Sequence, residues 1–360
     1  MYDAVSADVD DAPFPTLYND FTAEGETLDA LSIYDWIETR VPGGHGSPMG
    51  QLLDAAYNIE YGADTTQQAS LNLIYLLGYQ PNPNTFAMFG ESDEAYHIRG
   101  GNQLLPQAIA NHLGIGSSIK LGHSLVKIKK TPATRVELTF KVGMSTVVKT
   151  VDYAVLCVPF AILRELDTAQ AGFDLLKICA INNLGRSDNG KTQLQFNQRY
   201  WNQTGAWPGI ANGAAYSDNG LQSSWEVSRA QPGAAGIINC FSGGSVTQAL
   251  KANTPFGTIQ NSGVANDVST MLGRLQQVLP GATGQWNGKA IQSIYKKSPF
   301  AKLAYAYYQP GQYTTFCGYE KARQGPILFG GEHTSVDFQG YMNGGSAEGE
   351  RAAKELLFLI

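Results

Sequence analysis

The chain has 360 residues, of which 43% are hydrophobic and 16% are charged, so it is long enough to form about two folded domains with sizeable cores. Its net charge is −6, and no run of consecutive basic residues is longer than two, which argues against a nucleic-acid or anionic-membrane partner. No stretch reaches the roughly 18 apolar residues of a membrane span. The residues that follow Met1 are acidic, so no export signal is visible, and the cytoplasm is the favoured location.

The four cysteines are far apart and form no CxxC pair: Cys157, Cys179, Cys240 and Cys317. This spacing predicts buried single thiols of a reducing compartment rather than a disulfide framework or a zinc site. His333 follows Glu332, but no second histidine lies at ligand spacing, so we expect no metal and interpret His333 as a hydrogen-bonding residue at a strand end.

The first 96 residues are expected to be mainly helices and loops. Periodic apolar positions predict helices over residues 27–37, 49–61 and 69–77. The glycines of residues 43–50 have the spacing GxGxxxG with a proline inside and no strand before them, so we interpret this segment as a loop and not as a phosphate-binding turn.

From residue 97 the pattern changes to that of an α/β region. A turn and helix over residues 96–110 are followed by short strands at 119–121 and 125–128 and by a hairpin that pairs 134–140 with 146–150. The continuous apolar run 153–159 is typical of a central parallel strand.

Residues 166–324 are expected to form a mixed sheet with a helix over 265–279. Lys191 opens the predicted strand of this region in the frame K-T-x-L-x-F-x-x-R-Y-W. By itself, a lysine at the start of a strand is most often a solvated charge.

The C-terminal stretch is the most informative. Residues 325–334 are a short apolar run that ends in Gly330-Gly331-Glu332, which predicts a buried strand whose end meets a ligand. After Gly340-Tyr341-Met342, a helix is predicted with Ala347, Ala352, Leu356 and Leu357 on one packed face. Its N-terminus suits an anionic oxygen. The same stretch would also suit a strand, loop and helix that close an ordinary α/β sheet.

These segments together resemble the flavin amine oxidases, which include monoamine and polyamine oxidases and L-amino acid oxidases. The resemblance implies an α/β fold: an incomplete FAD-binding domain of the glutathione-reductase/amine-oxidase type, and a mixed-sheet substrate domain with a helical subdomain. It divides the chain into a helical substrate-cavity region (1–96), the middle of the FAD-binding domain (97–165), the substrate-binding domain (166–324) and the end of the FAD-binding domain (325–360).

The resemblance also implies roles for individual residues. Lys191 would hold a water molecule against flavin N5, and Tyr305 and Tyr341 would be the two walls between which the substrate passes. Residues expected to contact the cofactor are Val126, Pro159, Gly331, Glu332, Gly340 and Met342. Monoamine oxidases attach their flavin through a cysteine at the position of Ala304, so FAD is expected to be bound non-covalently.

The chemistry implied is oxidative deamination of an amine or an L-amino acid, with hydride transfer from Cα to flavin N5 and reduction of O2 to H2O2. An amino acid would require an arginine that, in the relatives, lies near or before the point where this chain starts, so the choice of substrate stays open. The residue patterns of the chain resemble those of bacterial members of the family more than those of animal members.

One expected part is missing: these families open with a strand, a GxGxxG turn and a helix that bind the pyrophosphate. The chain would then be a fragment, a subunit whose partner chain carries that βαβ unit, or a descendant without flavin, and we expect it to be inactive in isolation. The alternative of another class is a flavin-free binding or assembly subunit. Protoporphyrinogen oxidase and the carotenoid desaturases are a third possibility, although they generally lack the Lys191 frame.

Overall fold

The computed structural model describes residues 1–80, 86–92, 94, 96–132, 134–204 and 211–360. The end of the predicted helical region at 81–85, together with positions 93 and 95, lies outside the described residues. The fold is a mixed α/β arrangement, as predicted. No helix in the described residues is both long enough and apolar enough to cross a lipid bilayer.

The N-terminal block is helical, as predicted. Its helices are α1 (Tyr2–Asp11), α2 (Ala23–Ala30), α3 (Ile33–Arg40), α4 (Pro48–Tyr61) and α5 (Ser70–Gly78). The single helix predicted over 27–37 is wrong, because Ser32 is extended and starts a new helix: its Oγ accepts a hydrogen bond from the Asp35 N–H, while the Asp35 carboxylate accepts one from the Ser32 N–H.

Helix α5 anchors this block to the rest of the chain. Seven of its nine residues are buried. The Asn72 side chain donates a hydrogen bond of 2.7 Å to the carbonyl of Tyr308 and accepts one of 3.0 Å from the hydroxyl of Tyr313. The helical block therefore holds the segment that follows Tyr305.

A four-stranded sheet with the order β3-β2-β1-β5 forms the middle region. Its elements and their neighbours are α6 (Leu104–Leu113), β1 (Ser124–Lys130), β2 (Val136–Val142), β3 (Ser145–Val151), β4 (Ala154–Leu156), α7 (Phe160–Leu163) and β5 (Asp167–Gln170). The predicted hairpin is confirmed as β2 and β3. The strand predicted at 119–121 is wrong, because glycines at positive φ turn the chain there, including Gly116 and Gly122.

Strand β4 runs parallel to β14 (Ile327–Phe329), with Val155 opposite Leu328. The predicted parallel strand is therefore present, but within the described residues it has one partner strand and is not central. Strand β14 is buried at every position.

The part of the chain between residues 166 and 324 contains a six-stranded sheet with the order β11-β12-β7-β10-β9-β8. Its elements are α8 (Leu175–Asn183), β6 (Gly185–Arg186), β7 (Asn189–Phe196), β8 (Ala215–Ser217), β9 (Gln222–Glu226), β10 (Gly236–Gly243), α9 (Gly244–Gln248), β11 (Phe256–Thr258), α10 (Ser262–Val278), α11 (Ala282–Gln285), β12 (Trp286–Ile294), β13 (Ala306–Tyr307) and α12 (Gln312–Phe316). The expected mixed sheet is wrong: its pairings are antiparallel. One sheet face packs on α10 and the other is partly open, an arrangement that antiparallel sheets tolerate.

The last helix is α13 (Met342–Leu357), and its packed face differs from the prediction. The buried residues are Gly344, Glu348 and Ala352, spaced by four, so Ala352 is buried as predicted, whereas Ala347 is exposed and Leu357 is 69% exposed. Glu348 can lie inside because Thr334 donates a hydrogen bond of 2.9 Å to its carboxylate and Arg351 forms an ion pair with it.

The four cysteines are free thiols, but the expectation that all are buried is wrong. Cys157 is exposed and Cys179 is half-buried. Cys157 directly follows β4, where the chain leaves the two-stranded sheet, so packing covers it on one side only.

Candidate functional site

The two predicted wall tyrosines meet at Glu60, in the last turn of α4. The Tyr341 hydroxyl donates a hydrogen bond of 2.8 Å to Glu60 Oε1. The Tyr305 hydroxyl lies 2.5 Å from the carbonyl oxygen of Glu60 and 3.1 Å from that of Ile59. The structure therefore brings Tyr305 and Tyr341 together through one residue of the helical block.

Glu332 joins the same two tyrosine segments from behind. One carboxylate oxygen accepts a hydrogen bond of 3.1 Å from the backbone N–H of Ala306, and the other accepts one of 2.8 Å from that of Gly340. Burial raises the pKa of Glu332 to about 7, against the two backbone hydrogen bonds, which lower it. Its carboxylate thus fixes the spacing between the residue after Tyr305 and the residue before Tyr341.

Glu60 is the residue that sequence analysis missed. Burial raises the pKa of its carboxyl to about 7; the hydrogen bond from Tyr341 lowers it, and the charge of Glu94 raises it further. A signal was present in the sequence, since an acidic residue in the last turn of a helix faces the negative end of the helix dipole. A residue held in such a position needs a compensating partner, here the Tyr341 hydroxyl.

Lys191 lies on β7, between β10 and β12, where its backbone pairs with those of Phe241 and Ser293. Its Nζ is 5.4 Å from the centre of the Phe241 ring and 6.0 Å from that of Trp225. The residue is exposed, yet desolvation lowers its pKa, with the charge of Glu94 opposing the shift. Both observations fit a side-chain amine that lies beside two aromatic rings and that solvent can reach.

A hydrogen bond links the Lys191 strand to the tyrosine pair. Asn189 and Lys191 are two residues apart on β7 and so face the same side of the sheet. The Asn189 side chain donates 2.7 Å to the carbonyl of Ile59, which is the carbonyl that the Tyr305 hydroxyl also approaches. Lys191, Tyr305, Tyr341, Glu332 and Glu60 therefore form one group, which we name the tyrosine site.

The remaining predicted cofactor residues lie on the elements around this site. Gly331 has a φ of +111°, and a Cβ there would come within 2.9 Å of the His333 ring, so only glycine fits. Gly340 has a φ of +87° and faces the Tyr305 ring. Met342 is the exposed first residue of α13.

Val126 and Pro159 belong to parts of the chain that contribute no residue to the tyrosine site. Val126 is 38% exposed and stands at an irregularity of β1, between Leu125 and Lys127, where the pairing with β2 shifts register. Pro159 is the residue before α7, just after the strand that pairs with β14.

His333 differs from its interpretation as a hydrogen-bonding strand-end residue. Its Nε2 is buried without a partner in the described residues, and its ring packs 4.6 Å from that of Phe160. Burial, together with the charge of Lys177, lowers its pKa to about 3, so the ring is neutral. Among the described residues, no group of three or more His, Cys, Asp or Glu side chains could hold a metal ion.

The residues present fit a planar, polar cofactor at the start of α13. Its N-cap, Tyr341, makes no side-chain capping hydrogen bond. The N–H groups of the first turn are therefore available to donate hydrogen bonds to a ligand. A Cβ added at Gly345 would have one neighbouring atom, the Glu332 backbone nitrogen at 4.0 Å, so there is open space beside this glycine. The buried Gln339 Nε2 lacks a hydrogen-bond partner in the described part of the chain. A flavin would be held by these donors and by the glycines at 331 and 340.

A cavity of about 580 Å³ elsewhere in the chain is separate from this site. It is polar and includes Arg164, Arg186, Asp188 and Lys296 in its lining, but not Lys191, Tyr305 or Tyr341. The tyrosine site is therefore a different surface.

Comparison with known proteins identifies the family and the fold of the chain. The model of the family "flavin containing amine oxidoreductase" matches residues 55–357. Cyclohexylamine oxidase from Brevibacterium oxydans IH-35A is similar in structure, with a TM-score of 0.75 and 16% identity over 98% of this chain and 73% of that one. A mutant of putrescine oxidase superposes with a TM-score of 0.78 and 13% identity over 100% of this chain and 74% of its own.

Wild-type putrescine oxidase bound to putrescine gives a TM-score of 0.75 and 14% identity over 99% of this chain and 73% of that one. At these identities the solved structures show a shared fold. The family model covers most of the chain, including every residue of the tyrosine site. The chain therefore belongs to the family of flavin-containing amine oxidoreductases.

Proposed function

We propose that the chain is a flavin-dependent oxidase that deaminates an amine or an L-amino acid and produces hydrogen peroxide, once a segment that binds the cofactor pyrophosphate is supplied. The observation that carries the proposal is the double link between Tyr305 and Tyr341, through Glu60 on one side and Glu332 on the other. Two links hold the rings at a fixed spacing, as a substrate slot requires. The structural neighbours named above are oxidases of amines.

The residues of the tyrosine site have separate roles in this proposal. Tyr305 and Tyr341 orient the substrate so that its Cα faces the cofactor, and Lys191, which lies beside the Trp225 and Phe241 rings, holds a water molecule. Glu332 keeps the tyrosine segments in place. A bound flavin supplies the two-electron acceptor that no side chain here provides.

The cofactor in this proposal is FAD, bound non-covalently. The residue before Tyr305 is Ala304, which has no thiol to form a bond with the flavin ring. Gly331 and Gly340 let the backbone come close to the cofactor, and Val126, Pro159 and Met342 are proposed as its apolar neighbours.

A strand, GxGxxG turn and helix supplied by a partner polypeptide would complete the cofactor site. Helix α6 is rich in apolar residues but has no buried residue: Leu105, Ile109 and Leu113 are all about half-exposed. Val155 of β4 is also exposed, and β4 has one partner strand in the described chain. Such an apolar surface next to an incomplete parallel sheet suits a further βαβ unit.

The test is to co-express the full chain with a polypeptide that carries a strand, GxGxxG turn and helix, and to add FAD. We expect a yellow complex with a flavin absorption band, and peroxide after the addition of an amine. Lys191→Met is expected to bind FAD as the wild type does but to form peroxide about 100-fold more slowly.

The opposite result would be a complex that forms but stays colourless at saturating FAD. It would favour the flavin-free binding or assembly subunit over the oxidase. Equal peroxide rates for the wild type and Lys191→Met would contradict the role proposed for this lysine.

A further inference from the structure

Amines and amino acids differ by one carboxylate, so the charges at the tyrosine site bear on which of the two classes would bind there. The charged or titratable groups there, from every element that contributes, are Tyr57, Glu60, Tyr61, Glu94, Lys191, Tyr216, Tyr305, Glu332 and Tyr341. Three of these are carboxyls, and Lys191 is the single cation in this described set. None is an arginine.

We propose that Glu60 binds the ammonium group of the substrate, and that the site therefore accepts amines that lack a carboxylate. This inference rests on the proposed function, since it assigns the substrate class of the same site.

The position of Glu60 is the first argument. Its Oε1 accepts the hydrogen bond from Tyr341, and its backbone carbonyl accepts the one from Tyr305, so this one residue contacts both tyrosines. In the described part of the chain, Oε2 has no hydrogen-bond partner, and the residue is only half-buried. A carboxylate oxygen without a partner, on a residue that both tyrosine hydroxyls contact and that solvent can reach, is a ready acceptor for an ammonium N–H.

The second argument is the surrounding charge. Glu94 raises the pKa of Glu60 and therefore adds negative potential at the same place. The α-carboxylate of an amino acid would lie against two like charges, which disfavours its binding. The positive charge of Lys191 does not cancel this repulsion, because it already interacts with Glu94 and because Nζ lies over Trp225 and Phe241.

The experiment compares three ligands that share a five-carbon alkyl part: n-pentylamine, L-norleucine, which is pentylamine with an α-carboxylate, and hexanoate, which is norleucine without its amine. Binding to the full chain is measured by saturation-transfer NMR, with and without the cofactor-binding segment and FAD, so that no turnover is needed. At pH 8 we expect pentylamine to bind about 10-fold more tightly than norleucine, and hexanoate not to bind.

Glu60→Gln should weaken pentylamine binding about 10-fold and remove the preference over norleucine. Glu26→Gln is the matched control: it removes the same charge at an exposed position on α2, outside this group of charges, and should change the affinity less than about 3-fold.

The pH dependence separates a direct role from a structural one. Pentylamine stays protonated between pH 6 and 8, whereas Glu60, with a pKa of about 7, gains a proton as the pH falls, so wild-type affinity should drop over this range. Glu60→Gln should lack that drop. Tyr341→Phe removes a hydrogen bond that stabilises the carboxylate, and should move the midpoint to higher pH.

Wild-type affinity for pentylamine in Glu60→Gln, norleucine binding as tight as pentylamine binding, or failure of pentylamine to bind the wild type would each overturn the inference. Amine binding that depends on Glu60 without peroxide from the FAD-loaded complex would refute the proposed function alone. Peroxide from norleucine but not from pentylamine would refute the inference and leave the oxidase in place.

Discussion

Helices α5 and α6 have similar lengths and are both rich in apolar residues, yet they differ in how far they are buried. Seven of the nine residues of α5 are buried, whereas none of the ten residues of α6 is. Helix α5 has α1, α2 and α3 against it, and its Asn72 holds the segment after Tyr305. The comparison shows that an apolar helix pattern indicates a need for a partner surface and does not indicate where that surface is.

The largest expected effect comes from truncating matched leucines in the two helices. Leu73→Ala on α5 removes a fully buried side chain and should lower the free energy of unfolding by about 2–5 kcal/mol. Leu105→Ala on α6 removes a side chain that is 42% exposed and should change it by less than about 0.5 kcal/mol. Urea unfolding of both variants measures the difference; equal losses would mean that α6 is packed in solution.

A second test concerns the buried carboxyl that joins the two tyrosine segments. Because burial raises the folded-state pKa of Glu332 to about 7, the folded state binds its proton more tightly than the unfolded state, whose carboxyl titrates near its ordinary value of 4.5. Its contribution to stability is therefore fully present below about pH 4.5 and is lost as the pH rises through 7.

The stability of the wild type relative to Glu332→Gln should accordingly fall by about 1–3 kcal/mol between pH 5 and pH 8, measured by urea unfolding at each pH. Glu350→Gln on the exposed side of α13 is the control and should show no comparable trend. A flat difference for Glu332→Gln would contradict the raised pKa.

The smallest effect on stability is expected on α6 itself. Replacing Ile109 and Leu113 together with lysine should change the free energy of unfolding by less than about 0.5 kcal/mol, because both side chains are about half-exposed. The same variant should bind the supplied strand-turn-helix segment at least about 10-fold more weakly, since it loses apolar area at the proposed contact.

The control for this variant is the pair Gln107→Lys and His112→Lys, which places lysines on the same helix without removing an apolar side chain. Binding is measured by sedimentation. If both variants lose the segment equally, charge rather than apolar contact decides the association, and the role proposed for α6 is wrong.

Sequence reasoning succeeded where the signal is local. The hairpin of β2 and β3 and the helices α4, α5 and α10 follow from periodicity and turn residues within about 20 positions. The strand that ends in Gly330-Gly331-Glu332 was also predicted correctly. The signal was an apolar run followed by glycine, the residue that the positive φ of Gly331 favours.

It failed where the partner is distant. The predicted packed face of α13 was Ala347, Ala352, Leu356 and Leu357. Ala352 is buried, but the other buried residues are Gly344 and Glu348, because the Thr334 hydroxyl donates to the Glu348 carboxylate and Arg351 of the same helix pairs with it. The sheet expected to be mixed is antiparallel, since apolar alternation alone does not reveal strand direction.

The sequence by itself determined the family, the helices and strands with strong local patterns, and the positions of Lys191, Tyr305, Tyr341 and Glu332 as candidates. Only the tertiary structure decided that Glu60 joins the two tyrosines and that its pKa is raised to about 7. Its contacts with Tyr305 and Tyr341 span 245 and 281 positions of the chain. Desolvation and hydrogen bonding depend on which groups meet in space, and no local pattern around residue 60 encodes that meeting.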